Sequence, residues 1–210
     1  MYRRFSVVAA ALLMAAPAMA QAPAGWQMRL DRSTSASDPD NTPDVKFVTM
    51  GQGFHVTGGP ASVMWKPDNA ASGAYSIKGR FRMTKPSGHN NYYGLVFGGA
   101  DLAGAGQNYL YFLIGQNGTF IVKHRAGDAT THDVQARTPH AAILKPDSAS
   151  GSSTNTLEVR VAADKIDYVI NGTVVHSTPK AGMTAKTDGH WGIRVNHQLD
   201  VHVDQLALNK

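Results

Sequence analysis

The feature that most constrains this chain is a repeated two-residue rhythm. In "YSIKGRFRMTK" (75–85), Tyr75, Ile77, Phe81 and Met83 alternate with Ser76, Lys78, Arg80 and Arg82. That period matches the pleat of a β-strand with one buried and one wet face. "TLEVRV" repeats it, setting Leu157, Val159 and Val161 against Glu158 and Arg160. "YYGLVFGG" (92–99) is apolar almost throughout and predicts a strand covered on both faces. Short strands are expected at 45–49, 54–57 and 61–66, separated by "GQG", "GGP" and "KPDN". Good helix formers are scarce, and Glu158 is the one glutamate beside 14 aspartates. About a dozen short strands without a helix predict an all-β chain closed as two packed antiparallel sheets.

Asn-Gly pairs mark the turns. "NYLYFLIGQNGTFIVKHRAG" reads as a hairpin turning at Asn117-Gly118. A two- or four-residue loop puts Leu110, Phe112, Ile114 and Ile121 on one face, assigned to the core. Tyr109, Tyr111, Leu113, Phe120, Val122 and His124 then share the other face, a candidate groove floor. "KIDYVINGTVVHS" turns at Asn171-Gly172, with Ile166, Tyr168, Ile170 and Val175 on one side. Asp167 and His176 are its expected cross-strand neighbours. Both "NGT" triplets also fit a glycosylation sequon, but turn chemistry accounts for them fully.

"HWGIRVNHQLDVHVD" reads as a third hairpin. A three-residue turn at 196–198 pairs Val195 with Leu199, Ile193 with Val201 and Trp191 with Val203, so every apolar residue shares one face. Arg194 then lies opposite Asp200, and His190 opposite Asp204, on the wet face. His202 with His190 and one aspartate has a spacing that permits metal binding. Strict alternation produces such a row on any wet face, so no metal and no cofactor is expected.

The chain opens "MYRRFSVVAAALLMAAPAMAQAP". A basic start, a short apolar run and a small-residue cleavage sequence read as a secretory signal peptide over residues 1–20. Its removal takes two arginines and no acids, lowering the formal charge from +5 to +3. That balance, without a Lys/Arg run, argues against a nucleic-acid partner. No membrane span is expected after cleavage, and the expected location is periplasmic or extracellular. The absence of cysteine excludes disulfides and thiolate chemistry. Residues 21–44 are expected to hold an N-terminal strand and the polar loop "DRSTSASDPDNTPD", and 45–210 the sandwich domain.

"YYGLVFGGADL", "YLYFLIGQNGTFIVKHRAG", "NTLEVRV", "DYVINGTVV" and "GHWGIRVNHQLDVHVDQLAL" together resemble the concanavalin A-like lectin/glucanase superfamily. The likeness covers about residues 45–208. It is nearest to the laminin-G-like and 3-keto-disaccharide hydrolase domains of secreted bacterial proteins. It implies a jelly-roll sandwich, often with sugar on a concave sheet or its rim. The leading expectation is a secreted carbohydrate-binding domain with a glycan partner. Its candidate contacts are Tyr109, Tyr111 and His124 on one face, with His89, Tyr93, Arg125, Arg194 and His197 as a rim.

Whether the chain is an enzyme stays open at this stage. A standard glycosidase needs two flanking carboxyl groups. The Glu-rich strand motif of the superfamily's glucanases is absent, and a pair of aspartates such as Asp200 and Asp204, about 7 Å apart on one strand, could take that role. The alternative is a glycoside hydrolase of the 3-keto-disaccharide type, whose catalytic residues no motif locates here. A second alternative is a non-catalytic envelope domain that binds protein. The oligomeric state is left open.

Overall fold

The computed structural model describes residues 22–31 and 44–210. The signal-peptide segment and most of the polar loop lie outside them. Fourteen strands are present among the described residues. They are β1 (Gln27–Asp31), β2 (Lys46–Met50), β3 (Gly53–Thr57), β4 (Ala61–Ala71), β5 (Tyr75–Lys85), β6 (Tyr92–Ala100) and β7 (Asn108–Gly115). The rest are β8 (Thr119–Ala126), β9 (Thr131–Pro139), β10 (Ser153–Val161), β11 (Lys165–Ile170), β12 (Thr173–Pro179), β13 (Gly189–Val195) and β14 (Asp200–Asn209). One short 3-10 turn, Gly182–Thr184, is the helical element of this part of the chain. No helix here is long and apolar enough to cross a membrane.

The strands form two seven-stranded antiparallel sheets. The first runs β1-β4-β13-β6-β7-β8-β9 and the second β12-β11-β10-β5-β14-β3-β2. Their facing sides make the main core, and the alternation explains how. Ile77, Phe81 and Met83 of β5 and Leu157 and Val159 of β10 are fully buried against Leu95, Phe97 and Phe112 of the first sheet. Phe112 and Tyr168 meet at 5.3 Å between ring centroids, and Phe81 and Tyr93 at 6.0 Å. Each such side chain stabilises the fold by about 1.5–3 kcal/mol through burial. The expected two-sheet jelly-roll is therefore the observed architecture.

Four local expectations are corrected. The β7–β8 loop has three residues, Gln116 to Gly118, since Ile114 pairs with Phe120. Gly118 takes a left-handed φ of 82° and its N–H donates to the Gly115 carbonyl at 3.0 Å. That is the three-residue hairpin with a glycine at its left-handed position. An odd loop inverts the facing of β8. Ile121 joins Tyr109, Tyr111 and Leu113, while Phe120, Val122 and His124 join Leu110, Phe112 and Ile114 on the inner side.

Second, β13 and β14 do not form a hairpin. β13 lies between β4 and β6 in the first sheet, and β14 between β5 and β3 in the second. The 196–199 segment therefore crosses between sheets. The apolar residues still share the core, because both strands turn their apolar sides inward from opposite layers. His190 and the Asp200–His202–Asp204 row end up on different sheets, and no group of three His, Asp or Glu suited to a metal occurs among the described residues.

Third, the β11–β12 hairpin keeps its two-residue Asn171-Gly172 turn, with φ of 50° and 84°. A bulge at Tyr168/Val169 then shifts the register. Asp167 pairs with Ser177 instead of His176, and His176 stacks on Tyr168 at 5.9 Å. Fourth, β4 continues through the expected "KPDN" turn. Pro67 falls where the pairing with β13 is broken between Trp65 and Ala70, so its missing N–H costs no ladder bond. β9, with Val134 as its one bulky apolar residue, was not anticipated.

Candidate functional site

Two observations direct attention to the outer face of the first sheet. Its middle is not wet. Val63, Trp65, Val96, Tyr109, Tyr111, Leu113 and Ile121 form a second buried cluster there, separate from the main core. Beside it opens a cleft of about 630 Å³. The cleft is lined by His89, Asn90, Asn91, Tyr92, Tyr111, Ile121, Lys123, Asp133, Ala136, Arg137, Asn196 and His197.

The rim is held in place by hydrogen bonds. Gln116, in the β7–β8 turn, accepts from the Ser87 N–H at 3.2 Å and donates to the Ser87 carbonyl at 3.0 Å. Asn91 is buried and donates to Ser87 Oγ at 2.9 Å, and its Nδ2 lies 3.1 Å from His89 Nε2. On the far side the Asn196 N–H donates to the Tyr92 carbonyl at 2.9 Å. The polar groups facing the cleft are thus positioned by turns tied to the sheet.

Under the cleft lies Arg194, 7% exposed. It donates to Asp31 Oδ2 at 2.5 Å, to Tyr109 Oη at 2.9 Å and to Asn196 Oδ1 at 3.0 Å. Its guanidinium also covers Tyr111 at 5.4 Å from the ring centroid. Burial opposes the charge on Arg194, but Tyr109, Asp31 and Tyr111 more than offset it and push its pKa above the usual arginine range. Burial likewise opposes the Asp31 charge. Arg194 first, then Arg125 and Arg29, outweigh that and hold the carboxyl below its ordinary value. Burial raises the phenols of Tyr109 and Tyr111. Arg29 extends the network outward to Asp128 at 2.5 Å.

The tyrosines are therefore covered floor. Tyr111 is 6% and Tyr92 5% exposed, and Arg137 lies over Tyr92 at 5.6 Å. What faces solvent is a polar wall: His89, Asn90, Asn196, His197, exposed Arg137, and Lys123 paired with Asp133 at 2.9 Å. Such a wall can hydrogen-bond hydroxyls but offers little open ring surface for stacking. Asp133 is the one carboxylate lining the cleft, and it is ion-paired. Asp204 is on the other sheet, clamped by Arg80 at 2.6 and 2.7 Å, so the Asp200–Asp204 spacing does not belong to this cleft.

Of the sequence-derived candidates, His89, Tyr111 and His197 line this cleft, and Tyr109, Arg125 and Arg194 form the network beneath and beside it. Two fall elsewhere. Tyr93 faces the main core, 1% exposed, because β6 alternates it with Tyr92. His124 sits on the inner-side face of β8, stacked on His132 at 5.8 Å and bound to Asn108 at 3.2 Å. Sequence reasoning missed Lys123, because the loop length set its face, and Asp133 and Arg137, because β9 lacks alternating apolar residues. Asn90 and Asn196 carried no signal beyond their position in turns. Among the described residues, the exposed large apolar side chains on the second sheet are split between its two edges. Val48 and Met50 are on β2 and Val174 on β12, at opposite edges of the second sheet.

No family model and no curated protein matches the sequence. Solved structures do match the fold. The carbohydrate-binding module CBM66 from Bacillus subtilis superposes with a TM-score of 0.62 at 10% identity, covering 89% of this chain and 96% of that one. A Bacillus subtilis protein of unknown function with a galectin-like fold gives 0.62 at 14% identity, covering 88% of each chain. A GH16 protein of Bacteroides ovatus gives 0.55 at 9% identity, covering 87% of this chain and 94% of that one. At these identities the likeness is one of fold: this chain shares the two-sheet jelly-roll architecture of these structures.

Proposed function

We propose that this protein is an exported carbohydrate-binding domain that holds a glycan in the cleft on the outer face of the first sheet. The observation that carries the reading is the cleft's wall of fixed hydrogen-bonding groups over a buried tyrosine–arginine floor. Sugars present many hydroxyls, and recognising them without large rearrangement needs donors and acceptors already in place. His89, Asn90, Lys123, Asp133, Arg137, Asn196 and His197 supply both kinds. Fold-level support comes from CBM66, which is named a carbohydrate-binding module. Export rests on the signal-peptide pattern of residues 1–20.

Binding is favoured over hydrolysis because a standard glycosidase flanks the bond with two carboxyl groups. Asp133 faces the cleft without a second carboxylate among its lining residues. The test is a glycan array followed by calorimetry on the mature chain. Arg137→Ala and Asn90→Ala, both exposed, should each weaken the best ligand about tenfold while leaving the melting temperature unchanged. Failure to bind any glycan, or unchanged affinity in both variants, overturns the proposal. Release of reducing sugar from the bound glycan would replace binding with catalysis.

A further inference from the structure

The outer face of the second sheet sets most of its bases beside acids. Arg80 is bidentate to Asp204. Lys78 sits opposite Glu158, Arg160 opposite Asp167 and Lys85 opposite Asp200. Arg160 also reaches Glu158 at 2.9 Å, and Lys165 reaches Asp167 at 2.9 Å. Opposite charges in register are the normal way a wet sheet face is stabilised.

Arg82 breaks this pattern. Its cross-strand neighbours are His202 on β14 and Thr154 on β10, and His202 in turn faces His55 on β3. The two imidazoles stack at 6.2 Å. Three groups that carry only positive charge thus stand in one row across three adjacent strands. Like-signed neighbours in register destabilise a sheet unless something offsets them. Asp204 lies 3.8 Å from His202 Nε2, but Arg80 already holds it with two short bonds. Asp200, on the same strand, lies opposite Lys85.

The row also has space around it. A cleft of about 520 Å³ lies on one side of Arg82, lined by Arg80, Ser152, Ser153, Thr154, His202 and Asp204. Another of about 340 Å³ lies on the other side, lined by Met50, Gly51, Gln52, His55, Thr84 and His202 as well as Arg82. An exposed guanidinium offers a fork of donors that fits two oxygens of an oxyanion, and serine and threonine hydroxyls can donate to the remaining ones.

We propose that Arg82, His55 and His202 form a second site, on the sheet opposite the glycan cleft, that binds a phosphate or sulfate group and binds it more tightly in acid. The direction follows from the groups that face it. Nδ1 of both His55 and His202 is buried without a hydrogen-bond partner. Burial, and then the neighbouring His202, disfavour the charged form of His55 against the pull of Asp200. Anion binding and protonation therefore favour one another, and by linkage each strengthens the other.

Inorganic sulfate is the decisive probe, because its charge stays constant across the histidine range. Imidazole and arginine side-chain NMR signals would be followed as sulfate is added at pH 5.5 and 7.5. Saturable shifts at His55, His202 and Arg82 are expected, with affinity about fivefold higher at pH 5.5. Arg82→Gln should abolish saturation, and Arg137→Gln in the glycan cleft should leave it intact. Non-saturating shifts, or equal affinity in Arg82→Gln, would reduce the effect to general surface charge and overturn the site. Equal affinity at both pH values would overturn the histidines' part. A sulfated monosaccharide and a glycerophosphate then separate a glycan ester from a lipid headgroup as the source of the anion.

Discussion

Arg194 shows what a single residue hides in sequence. Alternation assigns it to the side of β13 opposite Trp191, Ile193 and Val195, and that much holds. What alternation cannot tell is whether a polar side is wet. Here the outer face is itself covered, and Arg194 is buried with three side-chain hydrogen-bond partners. Replacing it with leucine strands Asp31 in a buried position, although Arg29 and Arg125 remain near. The expected cost is about 2–3 kcal/mol, somewhat below the usual penalty for breaking a buried pair. Urea denaturation of Arg194→Leu measures it, and a loss under 1 kcal/mol would contradict the geometry. The same cluster sets a pH dependence. Asp31 titrates below its ordinary value of 3.8 in the folded chain. Its contribution is fully present above that value and is lost as pH falls through the depressed folded value. Asp31→Asn should therefore be less stable than the parent near neutrality, and the gap should narrow below about pH 4. A gap that is constant with pH would rule this out.

At the scale of strands and turns, two lengths decided which expectations survived. The Asn171-Gly172 turn has two residues and keeps its predicted form. The Asn117-Gly118 turn is one residue longer than that type, and that residue inverts all of β8. Period two makes facing all-or-nothing, so Lys123 moved into the site and His124 out of it together. The other failure was partner choice. A strand's pattern says which side is apolar but not which layer it joins, and β13 and β14 fit a hairpin and a crossover equally well. A double-mutant cycle separates the two topologies. Arg80 and Asp204 should show a coupling that weakens with salt, whereas Arg194 and Asp200, on different sheets, should show none. A coupling in the second pair would restore the hairpin.

For the whole molecule, the two-sheet sandwich was legible because its evidence is distributed: many short alternating stretches, Asn-Gly turns and few helix formers all agree. The cleft was only half legible, since it is assembled from β7, β8, β9 and the turns before β6 and after β13. These meet through topology rather than through spacing in the chain. That same dependence on distant segments makes the molecule cooperative. β14 comes last in sequence yet lies between β5 and β3, and Leu199, Val201 and Val203 are fully buried. A chain ending at Asn196 would lose those three side chains, worth roughly 5–9 kcal/mol of burial at about 1.5–3 kcal/mol each. It would also leave β5 and β3 with unpaired edges. That loss is comparable to the entire stability of a typical domain, about 5–15 kcal/mol. The truncated chain should show no cooperative near-UV transition on heating and should aggregate. A chain ending at Ala207 keeps all three side chains and should melt cooperatively. If the shorter chain melted as sharply as the longer one, β14 would not be an inner strand of the second sheet.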